Sequence, residues 1–290
     1  RFSPSDFKTI KKIYPKDDDN DERDCVKVEL AKHKGSKHDV VLKIYDKDIL
    51  MNKDMSATSK KVALRRWRDE VKMQSLLKHP HIIQMYSHFE VNEKIYIVME
   101  YAKKGNLYDA IPDGGFNGAH EQTAAKYIFQ IADALHYCHS KDVYHRDVKS
   151  SNILIDAYGD LKLCDFGLSA HSPNSRPRIS FCGTSYYMAP EMVRNKYRDV
   201  EHGKAVDLWS LGVVAYEILT GDFPFFSNAD DEQEESEELD YNIRRGTYTV
   251  PPRVPRGAGR LIGQLLRIGP KNRLSLEMVM SHPWIVQHNQ

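Results

Sequence analysis

Short apolar runs separated by polar stretches dominate about the first hundred residues, a pattern typical of β-strands. Two runs rich in β-branched and aromatic residues, at 39–46 and 94–101, predict strands. Between them, residues 57–79 carry apolar positions at steps of three and four before Pro80, which predicts a helix. Glu70 falls on the same side of that helix as the apolar positions, where a carboxylate needs a cationic partner.

After residue 106 the pattern becomes helical. Residues 121–141 and 207–221 predict long helices, and the second is apolar nearly all round, which indicates a buried helix. The stretch 228–240 is mostly acidic and predicts a solvated loop. A strand-rich part followed by a helix-rich part indicates an α+β fold with a cleft between two lobes.

Length and composition limit the classes of protein to which the chain can belong. Its 290 residues can form two lobes with separate cores, which we place at 1–101 and 102–290. The 42 Lys and Arg against 41 Asp and Glu leave a net charge of +1, so we expect binding neither to nucleic acid nor to a membrane surface. The four cysteines form no CxxC pair, which argues against zinc and disulfides and favours an intracellular location in the cytoplasm or nucleus.

Candidate chemistry is concentrated in the segment YHRDVKSSNILIDAYGDLKLCDFGLSA, residues 144–170. It contains HRDVKSSN and then DFG, with thirteen residues between Asn152 and Phe166. Upstream, VVLK places Lys43 on a predicted strand, 27 residues before Glu70. Downstream follow GTSYYMAPE and PKNRL. These pieces, in this order, resemble the signature set of eukaryotic protein kinases.

The resemblance implies a bilobal kinase fold: a small β-rich N-lobe with one regulatory helix, a larger α-helical C-lobe, and an ATP cleft between them. It also implies the catalytic roles in the larger lobe. Asp147 would accept the proton of a substrate hydroxyl, and Lys149 would neutralise charge on the transferring phosphoryl group. Asn152 and Asp165 would hold Mg²⁺ through oxygen ligands.

Nucleotide-binding residues are implied by the same resemblance. Lys43 and Glu70 would form the ion pair that orients the phosphates of ATP. The side chains of Val28, Val41 and Leu154 would sandwich the adenine ring, and Met99 would be the gatekeeper at the back of the pocket. Backbone groups of Glu100 and Ala102 would bond to the edge of the ring.

Other motif residues are expected to have structural roles. His145 would pack in the core and anchor the backbone of the catalytic loop. Asp207, at the start of the buried helix, would tie that loop from below. Glu191 would pair with Arg273.

The type of kinase follows from particular positions. Lys149, two residues after the catalytic aspartate, and Thr184 in CGT resemble serine/threonine kinases. The stretches HPHIIQMYSHF, EYAKKGNLYD, ALHYCHSKDVYHRD and SAHSPNSRPRISFCGT resemble the Aurora family, and this resemblance covers about residues 6–286. Leu168 after the DFG glycine instead resembles polo-like or calcium/calmodulin-type kinases, which are the alternatives.

One motif of the family is missing. The Gly-rich loop should follow the first strand, but residues 13–28, IYPKDDDNDERDCVKV, contain an acidic insert and no glycine. Glycine N–H groups normally close over the phosphates, so we expect weakened ATP binding beside an intact set of catalytic residues. A pseudokinase that serves as an interaction scaffold is the alternative from a different class.

Regulation and partners are implied by further matches to the family. Arg146 precedes the catalytic aspartate, which marks kinases activated by a phosphate on the activation loop, and Ser180 is the candidate acceptor. The expected partners are proteins with Ser or Thr acceptors and a mild preference for a basic residue at minus two, read by Glu217. An activator protein on the N-lobe and a monomeric chain are further expectations.

Overall fold

A computed structural model describes residues 2–14, 26–50, 68, 70–116, 120–167, 169–171, 185–194, 203–227, 229 and 231–289. The chain divides into two units, Arg1–Lys103 and Lys104–Gln290. This division lies close to the boundary that the sequence pattern suggests after residue 101. The glycine-free connection at 15–25 lies outside the described residues.

The first unit is built on a five-stranded antiparallel sheet in the order β1-β2-β3-β5-β4. The strands predicted at 39–46 and 94–101 are both present, and the second ends two residues earlier than predicted. The strands are β1 (Phe7–Tyr14), β2 (Val26–His33), β3 (Asp39–Asp46), β4 (Met85–Val91) and β5 (Lys94–Met99).

Two apolar clusters cover the two faces of this sheet. Successive β3 side chains point to opposite faces, so Leu42 and Ile44 join one cluster while Tyr45 joins the other. The Leu42 cluster also contains Phe7, Ala31, Val40, Phe89 and Val98. The Tyr45 cluster contains Val71, Ile95 and Ile97, with Val26, Met85 and Met99 packed against it.

Two helical segments accompany the sheet. Helix α1 (Lys47–Leu50) follows β3 directly, and helix α2 comprises residues 70–76. The sequence pattern predicted a helix as far as residue 79, but residues 77–79 are not helical. The backbone N–H of Leu77 bonds to the carbonyl of Gln74 in a tight turn, and Pro80 disfavours helical geometry at the residue before it.

The second unit is mainly helical and also contains two short pairs of strands. Its longer helices are α4 (Glu121–Ser140), α6 (Ala205–Thr220), α7 (Glu232–Arg245) and α8 (Arg256–Leu265). Shorter helices are α3 (Leu107–Ala110), α5 (Pro190–Arg194), α9 (Leu276–Met280) and α10 (Pro283–His288). The strands are β6 (Val143–Tyr144), β7 (Ile153–Ile155), β8 (Leu161–Leu163) and β9 (Ala170–His171); β6 pairs with β9, and β7 with β8.

Helix α6 forms the centre of this unit. Every residue from Val206 to Thr220 is buried, as the all-round apolar pattern predicted. Gly221 ends the helix with a φ of +73°, and a Cβ there would lie 2.8 Å from the backbone nitrogen of Gly114. Glycine is therefore required at this end of α6.

The loop predicted for the acidic stretch 228–240 is wrong, because most of that stretch lies in α7. Asp231 caps the helix by accepting bonds from the backbone N–H groups of Gln233 and Glu234, at 2.9 and 3.2 Å. Acidic side chains in the first turn also interact favourably with the helix dipole. Leu239 and Ile243 are buried, so one side of α7 packs against the unit.

Candidate active site

Lys43 and Glu70 lie together in the first unit. Lys43 projects from the middle of β3, and its Nζ lies 2.7 Å from Oε1 of Glu70 on α2. Only 2% of the Glu70 side chain is exposed. The hydroxyl of Tyr45 donates a hydrogen bond to the other oxygen of Glu70. The inward carboxylate indicated by the helical pattern therefore has a cationic partner and, in addition, a phenolic donor.

The predicted adenine-contacting residues of the first unit share a sheet face with Lys43. Val28 is the cross-strand partner of Lys43, and Val41 is the partner of Met99. Directly opposed residues in antiparallel strands project to the same side. Their side chains are half-buried, which leaves apolar surface for a planar ligand.

The segment after β5 is anchored to Gln84, the residue just before β4. The backbone N–H of Glu100 bonds to the carbonyl of Gln84 at 2.9 Å, and the Glu100 carboxylate accepts from the N–H of Gln84 at 3.1 Å. Ala102 follows and is buried. Leu154, the last predicted adenine-contacting residue, is half-buried on β7 in the second unit.

Asp207 anchors the start of residues 145–152, the predicted catalytic loop. Its Oδ2 accepts from the backbone N–H of His145 at 3.0 Å and contacts Nε2 of His139 at 2.8 Å. Its Oδ1 accepts from the backbone N–H of Arg146 at 2.7 Å. Burial acts to raise the pKa of Asp207, but the bonds from His139 and the backbone outweigh it and hold the pKa below its usual value.

The anchor accounts for the unusual backbone of Arg146, which has a φ of +65° although it is not glycine. Such a conformation is costly and is retained where the surroundings determine it. The ring of His145 is fully buried and contacts the carbonyl of Cys164 at 3.0 Å, as expected for a core anchor.

Two other predicted catalytic residues, Asn152 and Lys149, converge at Asp147. The amide nitrogen of Asn152 donates to the Asp147 carbonyl at 2.9 Å and to its Oδ2 at 2.8 Å. Nζ of Lys149 lies 3.2 Å from the same Oδ2. The Asp147 carboxylate is partly exposed, at 25% of its side chain. The loop thus holds an oriented, ionisable acceptor that an outside molecule can reach.

Asp165 follows β8 in a strained position. Its φ is +62°, and its side chain is exposed while Phe166 beside it is fully buried and packs edge-on against His145 at 4.8 Å. The backbone of this segment is connected to the catalytic loop, because the N–H of Cys164 bonds to the carbonyl of Asn152 at 2.9 Å.

The donor atoms present fit the magnesium ion that the resemblance to kinases implies. Asn152 uses its amide nitrogen for both bonds to Asp147, so these bonds do not use its oxygen. The exposed carboxylate of Asp165 is a second hard oxygen donor. Among the described residues, no group of three or more His, Cys, Asp or Glu side chains could hold a metal. Magnesium usually binds through one or two side chains together with substrate phosphates, which matches so small a set.

A buried hydrogen-bond network near the catalytic loop was not anticipated from the sequence. The carboxylate of Glu217 on α6 accepts one bond from Oγ of Ser150 and another from the Tyr187 hydroxyl, both at 2.8 Å. Glu217 is only 4% exposed. Burial raises its pKa to about 7, although the two hydrogen bonds act in the opposite direction.

The predicted pair of Glu191 and Arg273 forms with two bonds. The two guanidinium nitrogens NH1 and NH2 of Arg273 lie 2.6 Å from Oε1 and Oε2 of Glu191 respectively. Ser180, Thr184 and Leu168 lie outside the described residues.

Comparison with known proteins identifies the family. The family model described as "Protein kinase domain" matches residues 24–285. The Aurora kinase of Patiria pectinifera is 42% identical over 258 residues, which cover 89% of this chain and 59% of the relative. The Aurora kinase of Schizosaccharomyces pombe is 42% identical over 263 residues, which cover 90% and 68%. Aurora/IPL1-related protein kinase 2 of Caenorhabditis elegans is 44% identical over 216 residues, which cover 74% and 67%.

The chain therefore belongs to the protein kinase domain family. Within that family it is an Aurora-like serine/threonine kinase domain. It spans 59% to 68% of the length of these three relatives. Among the described residues, no helix has the length and apolar character needed to cross a bilayer.

Proposed function

We propose that this domain transfers the γ-phosphoryl group of ATP to serine or threonine hydroxyls of protein substrates. The observation that carries the proposal is the arrangement around Asp147, whose partly exposed carboxylate is oriented by Asn152 and lies beside Lys149. An oriented carboxylate next to a lysine is what phosphoryl transfer to a hydroxyl requires.

Each residue of the loop has a role in that step. Asp147 accepts the proton of the substrate hydroxyl while the hydroxyl oxygen forms a bond to the γ-phosphorus. The bond between this phosphorus and the bridging oxygen breaks, and ADP leaves with the electron pair. Lys149 neutralises negative charge on the transferring group, and Asn152 keeps Asp147 directed at the hydroxyl.

The nucleotide is held by residues with other roles. Lys43, oriented by Glu70, binds the phosphates, and Asn152 and Asp165 are the residues that would hold Mg²⁺. When bound, the ion neutralises phosphate charge and orients the phosphates. Apolar contacts to adenine come from Val28, Val41, Met99 and Leu154, and its polar edge bonds to the backbone of Glu100 and Ala102.

Affinity for ATP is expected to be low because residues 15–25 contain no glycine. Each charge-assisted bond from a glycine-rich loop is worth about 1.5–3 kcal/mol, so losing one or two weakens binding about ten- to ten-thousand-fold. The chemical step does not depend on these bonds, because the loop binds and positions the phosphates.

The preference for a basic residue at minus two is proposed to be weak. Glu217 would read that residue, but both of its oxygens already accept hydrogen bonds from Ser150 and Tyr187. A substrate guanidinium would have to compete with those bonds in a buried place, which offsets much of its own gain. A monomeric chain and an activator on the N-lobe remain predictions.

Phosphate transfer tests the proposal directly. We expect the purified chain with radiolabelled Mg·ATP to phosphorylate a generic basic peptide on serine or threonine. Asp147→Asn should lower the rate about a thousand-fold, because it removes the proton acceptor. The same variant should keep the rise in melting temperature that Mg·ATP produces, whereas Asp165→Asn should lose it.

Two outcomes would contradict these assignments. Turnover of Asp147→Asn at the wild-type rate would exclude Asp147 as the proton acceptor. In the same assay, peptides that differ only by Arg or Ala at minus two should differ by a few-fold; a strict requirement for Arg would contradict the weak preference.

A further inference from the structure

Glu70 has two hydrogen-bond donors from the same strand. Lys43 bonds to Oε1 at 2.7 Å, and the Tyr45 hydroxyl donates to Oε2. Lys43 and Tyr45 are two residues apart on β3, so their side chains project to the same face of the sheet. One strand thus provides a donor for each oxygen of the carboxylate.

Both donors are needed by a carboxylate so deeply buried. Glu70 is 2% exposed, so water cannot satisfy an oxygen that the protein leaves without a partner. A lysine ammonium is a compact donor that here binds only one of the two oxygens. Without the phenol, the second oxygen would lose the donor that faces it in the interior, which is costly for a charged group.

Tyr45 is itself held in place by the sheet and its apolar cluster. Its cross-strand neighbours are Val26 on β2 and Ile95 on β5, and it packs with Val71 of α2. Nζ of Lys43 lies 5.5 Å from the centre of its ring, within range of a cation–π contact. The phenol can therefore act as a fixed point toward which Glu70 orients.

The phenol also stays a donor over the pH range in which kinases act. Burial raises the pKa of Tyr45 far above its usual value; the Lys43 charge opposes this, while the Glu70 charge adds to it. Tyr45 is therefore neutral and protonated while Glu70 accepts from it.

We propose that Tyr45 is a positioning residue for nucleotide binding, whose hydroxyl holds Glu70 in the orientation that pairs with Lys43. The inference rests on the proposed role of Lys43 in binding ATP phosphates. It implies that α2 is attached to the sheet from within, through both oxygens of one carboxylate.

Tyr45→Phe tests the inference because it keeps the ring and removes only the donor. We expect the KM for ATP and the dissociation constant of Mg·ADP to rise about tenfold, the lower range for one hydrogen bond to a charged group. The KM for the peptide should stay unchanged. Amide hydrogen exchange of residues 70–76 should become faster by a similar factor, since Glu70 on α2 loses one of its two side-chain donors from β3.

Tyr96→Phe is a matched control on the neighbouring strand. Tyr96 faces the other side of the sheet and stacks on Phe89 with ring centres 4.9 Å apart. This substitution should leave ATP affinity and the exchange of 70–76 unchanged. Wild-type affinity and unchanged exchange in Tyr45→Phe would overturn the inference.

Testing Tyr45→Phe in Glu70→Gln protein as well as in the wild type separates a positioning role from a purely structural one. If Tyr45 acts through Glu70, Tyr45→Phe should have no further effect on Mg·ADP affinity in Glu70→Gln protein; equal losses in both backgrounds would mean only a structural role and would overturn the inference. Nucleotide binding and hydrogen exchange need no phosphate transfer. Failure of the wild type to phosphorylate any peptide would therefore overturn the proposed function but not this inference.

Discussion

The carboxyl group of Glu217 is buried, and it accepts hydrogen bonds from the hydroxyl groups of Ser150 and Tyr187. Both of these donors are neutral. Burial therefore dominates, and its pKa is raised to about 7 from the model-peptide value of 4.5. The folded protein keeps the Glu217 carboxyl group protonated at pH values where the same group is ionised in the unfolded chain. A raised pKa of this kind adds stability at low pH, and that contribution is lost as the pH rises toward 7.

We predict that Glu217→Gln changes the pH dependence of unfolding. Between about pH 4.5 and 7 the wild type should lose about 3 kcal/mol of unfolding free energy through this group, and the glutamine variant should not. Urea unfolding at a series of pH values measures the difference.

Glu277→Gln is the matched control for this experiment. Glu277 is exposed, and its backbone N–H and Ser275 hold its pKa below the usual value, so it stays charged over the same pH window. Its curve should run parallel to that of the wild type. If the Glu217→Gln curve is also parallel, the Glu217 carboxyl does not titrate in this window.

Some of the site residues could be predicted from sequence and others could not. The helical pattern and the kinase motifs placed Glu70 beside Lys43 across 27 residues, because each lies on a regular element with a known inward face. The bonds of Ser150 and Tyr187 to Glu217 span 67 and 30 residues and depend on how loops pack. The Tyr45 hydroxyl was missed because an aromatic residue on a strand fits core packing equally well.

At the scale of elements, α7 shows where pattern reasoning failed. A mostly acidic sequence was interpreted as solvated, and the few apolar positions were given too little weight. Leu239 and Ile243 are four residues apart and both buried, which is enough to fix one side of a helix. Asp231 at the start and Gly246 at the end supply caps that the sequence did contain.

Arg273 joins two helices and a loop of the second unit. Its guanidinium is fully buried and bonds to Glu191 on α5, to the carbonyl of Ala205 at the start of α6, and to the carbonyl of Arg267. We predict that Glu191→Gln lowers the unfolding free energy by about 3 kcal/mol, because it leaves a buried cation without its anion. Urea unfolding measures this loss.

An exposed pair in the same unit provides the comparison. Lys126 and Asp160 lie 2.8 Å apart, and both side chains are well exposed. Lys126→Met should cost less than about 1 kcal/mol, as is usual for surface ion pairs. Equal losses from the buried and the exposed pair would show that burial of Arg273 is not what makes its pairing important.

For the molecule as a whole, the predicted regulatory serine lies in a segment outside the described residues. Ser180 lies in that segment, while Arg146 is held by Asp207 at the start of the catalytic loop. We predict that incubation with Mg·ATP places phosphate on Ser180, which mass spectrometry can locate. Ser180→Ala should lower activity at least about tenfold, since one to three charge-assisted bonds to the phosphate are lost.

Ser175→Ala is the control for this prediction, because it removes another hydroxyl from the same segment. It should keep wild-type activity and phosphorylation of Ser180. Full activity of Ser180→Ala would mean that the kinase needs no phosphate on this serine.

Helix α6 has a consequence for alignment. Asp207 and Glu217 are ten residues apart on it, a rise of about 15 Å. Asp207 holds the beginning of the catalytic loop, and Glu217 holds Ser150 near its end. The helix therefore sets the distance between the two points at which the loop is attached. One inserted residue between them would rotate Glu217 about 100° away from Ser150 while Asp207 kept its place, so the length of α6 is fixed as strictly as the residues it carries.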